Sequence, residues 1–311
     1  MWFILSLLAM IAWAGSDFFS KKGTKPEDKT SHLKLIIVVG TVMFLHAIGF
    51  MIFAYIKDGF VYEPVSLIKY LPVSFMYILS MAFGYAGLRY IELSVSSPIC
   101  NSSGAVVSIL CFIILGQEMA LLQIAGVVLI CAGVLLLALL ERKYINAEKA
   151  MFAANPQQSQ SKYQVSAIAI ILPILYCLID SLGTFMDIFW LNEANPILDE
   201  AQANLSYEFT FAICALLAFL YLRFIKKEKF SYFKEKTFGA AAICETAGQF
   251  AYVYAIADTK HAGMAAPMIA SYCVFSVILS RIFLKEKLKL PQYAVVVMVV
   301  VGIAILGIFD A

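Results

Sequence analysis

Charge is scarce in this chain. Lys, Arg, Asp and Glu together make up 14% of its 311 residues, whereas 62% are apolar or aromatic. A soluble domain usually carries about 25% charged residues, so a soluble globular fold is excluded. The net charge of +2 carries little information by itself, and no nucleic-acid partner is expected. Seven cysteines are present, but all fall inside apolar stretches and none has metal-ligand spacing, so they are expected to be packing residues and no metal or cofactor is predicted. The motifs GxSG, GxGD and HExxH are absent, which argues against an intramembrane enzyme. The ANP at 194–196 lacks the rest of a water-channel motif.

What fills the chain instead is hydrocarbon. A helix needs about 20 mostly apolar residues to cross a bilayer. Ten such stretches follow one another, at 2–20, 33–56, 67–88, 95–115, 119–140, 165–190, 204–225, 237–257, 262–284 and 288–309. The expected fold is therefore an all-α polytopic membrane protein of ten transmembrane helices. The first stretch has no basic region before it and no small-residue cleavage site behind it, and reads as a retained helix rather than a signal peptide.

The few basic residues are unevenly placed. Loops after odd-numbered spans hold 20 Lys or Arg, and loops after even-numbered spans hold three: Lys57, Lys69 and Lys260. Positive charge stays on the cytoplasmic side. The odd loops are predicted inside and both termini outside, in a plasma (inner) membrane.

The chain also repeats itself. YAGLRYIELSVSSP at 85–98 and YAIADTKHAGMAAP at 254–267 lie 169 positions apart, and the same offset takes Gln123 to Gln292 and Gly133 to Gly302. Tyr, Pro, Gln and Gly at one fixed offset indicate a tandem duplication, with repeats at 1–140 and 165–311 joined by a polar linker at 141–164 whose Pro, Gln, Ser and charges cannot pack a core. Five spans per copy make the second copy enter from the opposite side. That is an inverted-topology repeat, which in many secondary transporters holds substrate near the midplane between the halves.

Each copy carries a Pro early in its fourth helix, a Glu in a short turn 19 or 20 residues later, then Gln and Gly in its fifth: Pro98, Glu118, Gln123, Gly126 and Gly133, then Pro267, Glu286, Gln292 and Gly302. With AWAGSDFFSKK ending the first span, this pattern resembles the EamA-type proteins of the drug/metabolite transporter superfamily over nearly the whole chain. Val295 stands where a glycine opposite Gly126 is expected. The resemblance implies a permease whose spans one to four and six to nine enclose a cavity, with spans five and ten at the edge.

A charge at the bilayer centre costs about 2.5 to 3.5 kcal/mol on insertion scales, so acids inside the spans are site candidates by default. Asp180, Thr184 and Asp187 follow i, i+4, i+7 spacing, and Glu245, Gln249 and Tyr252 make a similar stripe. Asp180 and Glu245 are the leading candidates, either as cavity-lining groups that exchange a proton or as acids held across a helix interface. Asn101 in span four, and Ser271 with Tyr272 in span nine, follow Pro98 and Pro267, which are expected to act as hinges. His46 stands alone in span two, as a proton relay or a histidine satisfied by a neighbouring helix. Asp17 and Glu208 lie nearer span ends, within reach of interfacial water. Trp13, Tyr85, Tyr252 and Tyr272 offer aromatic walls for a cation.

No Lys or Arg lies near the middle of a span, which excludes anionic solutes that need fixed positive charge. The predicted function is secondary active transport of a small cationic, zwitterionic or neutral amphipathic solute, with proton coupling among the options and the protein a lipid-embedded monomer or homodimer. A passive facilitator and a membrane scaffold or sensor are the alternatives. The topology has a direct check. In a cysteine-free background, single cysteines at Asn195 and Lys227 should label differently with an impermeant thiol reagent on intact cells, Asn195→Cys reacting and Lys227→Cys staying silent; the reverse pattern would invert the assignment.

Overall fold

The computed structural model describes residues 1–25, 27–90, 93–154, 167–191, 196–284 and 289–309. Among them helix dominates and no strand occurs. The helices are α1 (Trp2–Gly23), α2 (Ser31–Asp58), α3 (Pro64–Gly87), α4 (Leu93–Cys100), α5 (Ser103–Ile114), α6 (Leu121–Ala154), α7 (Ala167–Trp190), α8 (Glu200–Leu220), α9 (Lys236–Ile256), α10 (Ala262–Ala270), α11 (Tyr272–Leu279) and α12 (Leu290–Phe309). Short π-helical turns, Tyr221–Ile225 and Ser280–Leu284, extend α8 and α11.

Pairs α4–α5 and α10–α11 are each one broken span, so twelve helices make ten crossings. Eight crossings are long and apolar enough by themselves. The other two are α12, with the shorter apolar stretch Leu290–Leu306, and α9, which carries Glu245, Thr246 and Gln249 in its middle. The apolar crossings turn large side chains such as Ile52, Phe112, Leu216 and Val297 outward, as lipid requires.

The duplication is visible in how the helices pair. α1 packs on α9 as α7 packs on α3, α2 on α9 as α8 on α3, and α1 on α10 and α11 as α7 on α4 and α5. Three further pairs, α2 with α8, α5 with α10 and α6 with α12, join equivalent spans to each other. A pseudo-twofold axis that exchanges the halves maps this set of contacts onto itself. The α6–α12 pair is antiparallel, because a Cβ on Gly126 would meet Leu306 whereas one on Gly133 would meet Val299. Gly302 lies so close to its partner that an added Cβ would sit 2.8 Å from the Gly126 carbonyl oxygen, the close approach that small residues permit between membrane helices.

The repeated glutamines have a local role. The Gln123 side-chain oxygen accepts the Ala120 backbone N–H at 2.9 Å, and Gln292 accepts that of Lys289, at positions again 169 apart. Each caps the first turn of its copy's fifth span, where backbone donors have no helical partner. Glu118 is exposed and makes no such bond; its neighbour Gln117 holds the turn instead, accepting Gly263 N–H at 2.8 Å and donating to the Thr259 carbonyl. Glu286 lies outside the described residues.

Residues 141–154 of the polar linker continue α6 as helix, because this stretch carries Ala, Glu and Lys and has no Gly or Pro before Pro156. The broken spans do not fail at their prolines. Their breaks fall at Asn101–Ser102 and Ser271, three to four residues beyond Pro98 and Pro267. There Asn101 Nδ2 donates to Ser97 O at 2.8 Å, Ser102 Oγ to Pro98 O at 3.0 Å and Ser271 Oγ to Met268 O at 2.5 Å. The Asn101 side chain shares the Ser97 carbonyl with its own backbone N–H, whereas Ser102 Oγ takes up the Pro98 carbonyl while the Ser102 N–H turns to Ile99 O.

At one end of the bundle an ionic cluster ties loops of the two halves. Lys34 Nζ lies 2.8 Å from Asp28 and 2.6 Å from Glu228, and Thr30 Oγ1 donates to Glu228 at 2.7 Å. The Lys34 bond holds the Glu228 carboxyl below its ordinary value. Burial pushes Asp28 up, but bonds from Lys34 and Thr30 outweigh it and the net direction is down. Carboxylates lowered in the folded state stabilise it above their unfolded pKa of about 4, and that contribution is lost as pH falls through the lowered folded values. Amide exchange at 28–31 and 227–231 is expected to rise as pH drops below about 4. Glu228→Gln should exchange faster already at neutral pH and show a smaller acid step; an unchanged profile would show that the cluster contributes nothing.

Candidate functional site: a carboxylate-lined central cavity

Between the halves lies a narrow void. Its walls come from α1, α3, α4, α5, α7, α9, α10 and α11, with Tyr207 added by α8. Spans five and ten stay outside it. So does span two, contrary to expectation, because α2 packs on the outer side of α8 and α9.

Three carboxylates face this space, and their partners are hydroxyls. Glu245 accepts Ser16 Oγ at 2.6 Å. Asp180 accepts Ser103 Oγ at 2.9 Å and Ser80 Oγ at 3.4 Å. Asp17 accepts Ser97 Oγ at 2.5 Å and Ser276 Oγ at 3.1 Å. Each acid sits on one helix and is held from others, so the site is assembled across the fold rather than within a span. Among the described residues no Lys or Arg lines the cavity. Lys21 is at its rim, buried and donating to the Leu88 carbonyl at 2.7 Å.

A carboxylate in a low-dielectric site without a fixed cation has two stable conditions: neutral with a proton, or ionised beside a cation that arrives. Aromatic rings around Glu245 suit the second. Trp13 stands 5.0 Å from Tyr252 and 5.8 Å from Tyr272 between ring centroids, a partial cage for an ammonium group. Gly248 makes this possible, since a Cβ there would lie 2.4 Å from the Trp13 ring.

Of the residues singled out by sequence, Asp180, Glu245, Gln249, Thr184, Asn101, Tyr252, Tyr272, Trp13 and Asp17 all line the cavity. Asp17, partly exposed, is among the wall residues. Asp180 and Glu245 share the cavity without a hydrogen bond between them, each occupied by its own serines. Ser271 does not line it; its side chain is fully buried against Met268 and Met10. His46 lies elsewhere, with Nδ1 2.7 Å from Glu208 Oε1, and Asn204 Nδ2 donates to the same oxygen at 3.2 Å. Pro98 and Pro267 flank the cavity's broken spans, and the Cα of Pro267 packs within 2.9 Å of a Cβ built on Gly104. The serines at 16, 80, 97, 103 and 276 were missed, because isolated serines are ordinary packing residues in membrane helices and only the tertiary pairing gives them a role. Among the described residues no cluster of His, Cys, Asp and Glu could hold a metal ion.

Ten crossings, two inverted five-helix repeats and a polar cavity between them define a membrane transporter. Residues 1–139 and 165–308 both match the EamA-like transporter family, and the chain belongs to that family, a multi-pass transporter of the drug/metabolite type. A solved crystal structure is similar over 99% of this chain and 96% of its own, with a TM-score of 0.62 at 11% identity, which shows the fold alone. No curated protein matches.

The walls can be mapped chemically. In the cysteine-free background Asn101→Cys should react with a small thiol reagent from the cavity and be protected by a bound solute, whereas Ser271→Cys should stay unreactive. Equal labelling of both would move the cavity wall from where the structure has it.

Proposed function

We propose that this protein is a proton-coupled secondary transporter of the plasma membrane for small organic cations or zwitterions, with Glu245 as the group that exchanges a proton for the solute's ammonium. The observation that carries this reading is the set of carboxylates, Glu245, Asp180 and Asp17, facing one cavity with hydroxyl partners and, among the described residues, no lining Lys or Arg. Replacing a proton by a cation keeps the buried charge balanced, which is how transport of one can be driven by the other. Trp13, Tyr252 and Tyr272 supply the aromatic surface, Asp180 and Asp17 extend the acidic path, and Gln249 and Asn101 add neutral polar contacts. The distribution of basic residues supports both termini lying outside the cytoplasm, and the repeats at 1–140 and 165–311 are the two bodies that rock against each other.

A passive channel fits less well. It requires a continuous lumen, and here the Tyr77 and Tyr252 hydroxyls meet across the path.

The test is a proteoliposome screen of amino acids, organic cations and nucleosides, with and without an imposed pH gradient. Glu245→Gln keeps the hydrogen-bonding shape and removes the titration. It is expected to abolish accumulation driven by the gradient while solute exchange persists. Wild-type response to the gradient in a well-folded Glu245→Gln protein would remove Glu245 from the mechanism.

A further inference from the structure

Beyond the cavity, toward the end of the bundle that carries Trp190, stands a fourth carboxylate. Asp187 is on α7, seven residues past Asp180 and therefore on the same helical face, and it is fully buried. Its partners again are hydroxyls, but here they are tyrosines. Tyr70 OH donates to Oδ1, and Tyr77 OH lies 3.2 Å from Oδ2. Tyr70 and Tyr77 are also seven apart, on one face of α3, so a single carboxylate grips two turns of the facing helix. Tyr77 then meets the hydroxyl of Tyr252 from α9, and Tyr252 donates to Thr184 Oγ1 on α7 at 3.2 Å. Tyr70, Tyr77, Tyr252 and Thr184 are all buried.

This network has a particular position. Tyr77, Tyr252 and Thr184 line the cavity, whereas Tyr70 and Asp187 do not, so the network spans from the cavity wall to the region beyond it. α3 belongs to the first repeat, and α7 and α9 to the second. Every bond from Asp187 to a tyrosine therefore crosses between the two halves. At the opposite end the cavity reaches Leu88, Leu93, Ser96 and Ser97, and Asp17 there is partly exposed.

We propose that Asp187 is the latch of a gate that closes the cavity at the Tyr70–Trp190 end. Its carboxylate holds Tyr70 and Tyr77 of one half against the other, which in turn sets the Tyr77–Tyr252 pair across the solute's path. For the halves to rock and the solute to pass that end, the inter-half bonds must separate while the Asp180 and Glu245 positions stay on their helices. Two hydroxyls bonded to one carboxyl group join the halves at two points a helical repeat apart, and no water inside the bundle competes for them, so the latch stays shut at rest. Asp187 is on this account a positioning residue for the transport cycle, acting through the tyrosines rather than on the solute. The proposal rests on reading the cavity as a transport path, but its test uses no solute and no pH gradient, so it stands or falls apart from the role of Glu245.

The experiment reads opening directly. Met81 lines the cavity on α3. Met81→Cys in the cysteine-free protein, reconstituted in vesicles of defined orientation, is challenged with an impermeant thiol reagent from each side. Combined with Asp187→Asn, which leaves one acceptor oxygen for two tyrosines, or with Tyr70→Phe, which removes one donor, labelling from the Tyr70 side should accelerate about tenfold, equivalent to about 1.4 kcal/mol. Labelling from the Leu88 side should hold constant or slow. Tyr70→Phe serves if Asp187→Asn does not fold. No acceleration from the Tyr70 side in a folded variant would overturn the latch, and equal acceleration from both sides would assign Asp187 to general stability instead.

Discussion

A carboxylate placed in hydrocarbon must find its hydrogen-bond donors inside the protein, and the architecture around the cavity answers that demand. Glu245, Asp180, Asp17 and Asp187 each draw hydroxyls from helices other than their own. The helices must therefore converge, and the contacts that let them converge are small: Gly248 against Trp13, Gly84 against Tyr176, Gly104 against Ala270 and Pro267. Polar satisfaction fixes which helices meet, and small residues fix how closely. The outward surface is left to large apolar side chains with no further duty.

Because the donors are neutral, the acids remain chemically uncommitted. A lysine or arginine in the wall would have fixed them as permanent anions and closed the site to cations. Hydroxyls stabilise either form of a carboxyl group, accepting from a protonated one or donating to an ionised one. The same donor set thus tolerates the two occupancy states that an exchanging site must visit.

Much of this was legible from residues alone. Helical periodicity brought Asp180 with Thr184 and Asp187 to one face, and Glu245 with Gln249 and Tyr252 to another, and both faces point inward. A fixed offset of 169 exposed the duplication and with it the exchange of helix contacts. What could not be read depends on which helices touch. Asp17 was placed near a span end by counting along α1, and nothing there signalled Ser97 of α4 and Ser276 of α11 as its partners. His46 gave no sign that Glu208, 162 residues away, would be its partner. The prolines marked each fourth span, but nothing in the sequence told that the helix would break one turn further on, at Asn101–Ser102 and Ser271.

The twofold that exchanges the halves has a consequence at the ends of the bundle. The contact of α3 with α7, where Asp187 grips Tyr70 and Tyr77, has its counterpart in α1 with α9 at the other end, and there Gly23 lies directly against the ring of Phe238. Bonds between the halves fasten both ends: Asp187 with its tyrosines at one, and at the other Asp17 with Ser276 and Lys34 with Glu228 beside the glycine packed on its ring. Of these, the Lys34–Glu228 pair lies nearest to water, and such pairs are screened by salt where buried bonds are not. Ionic strength would then loosen one end of the cycle and leave the other, giving a symmetric scaffold a resting side that salt shifts.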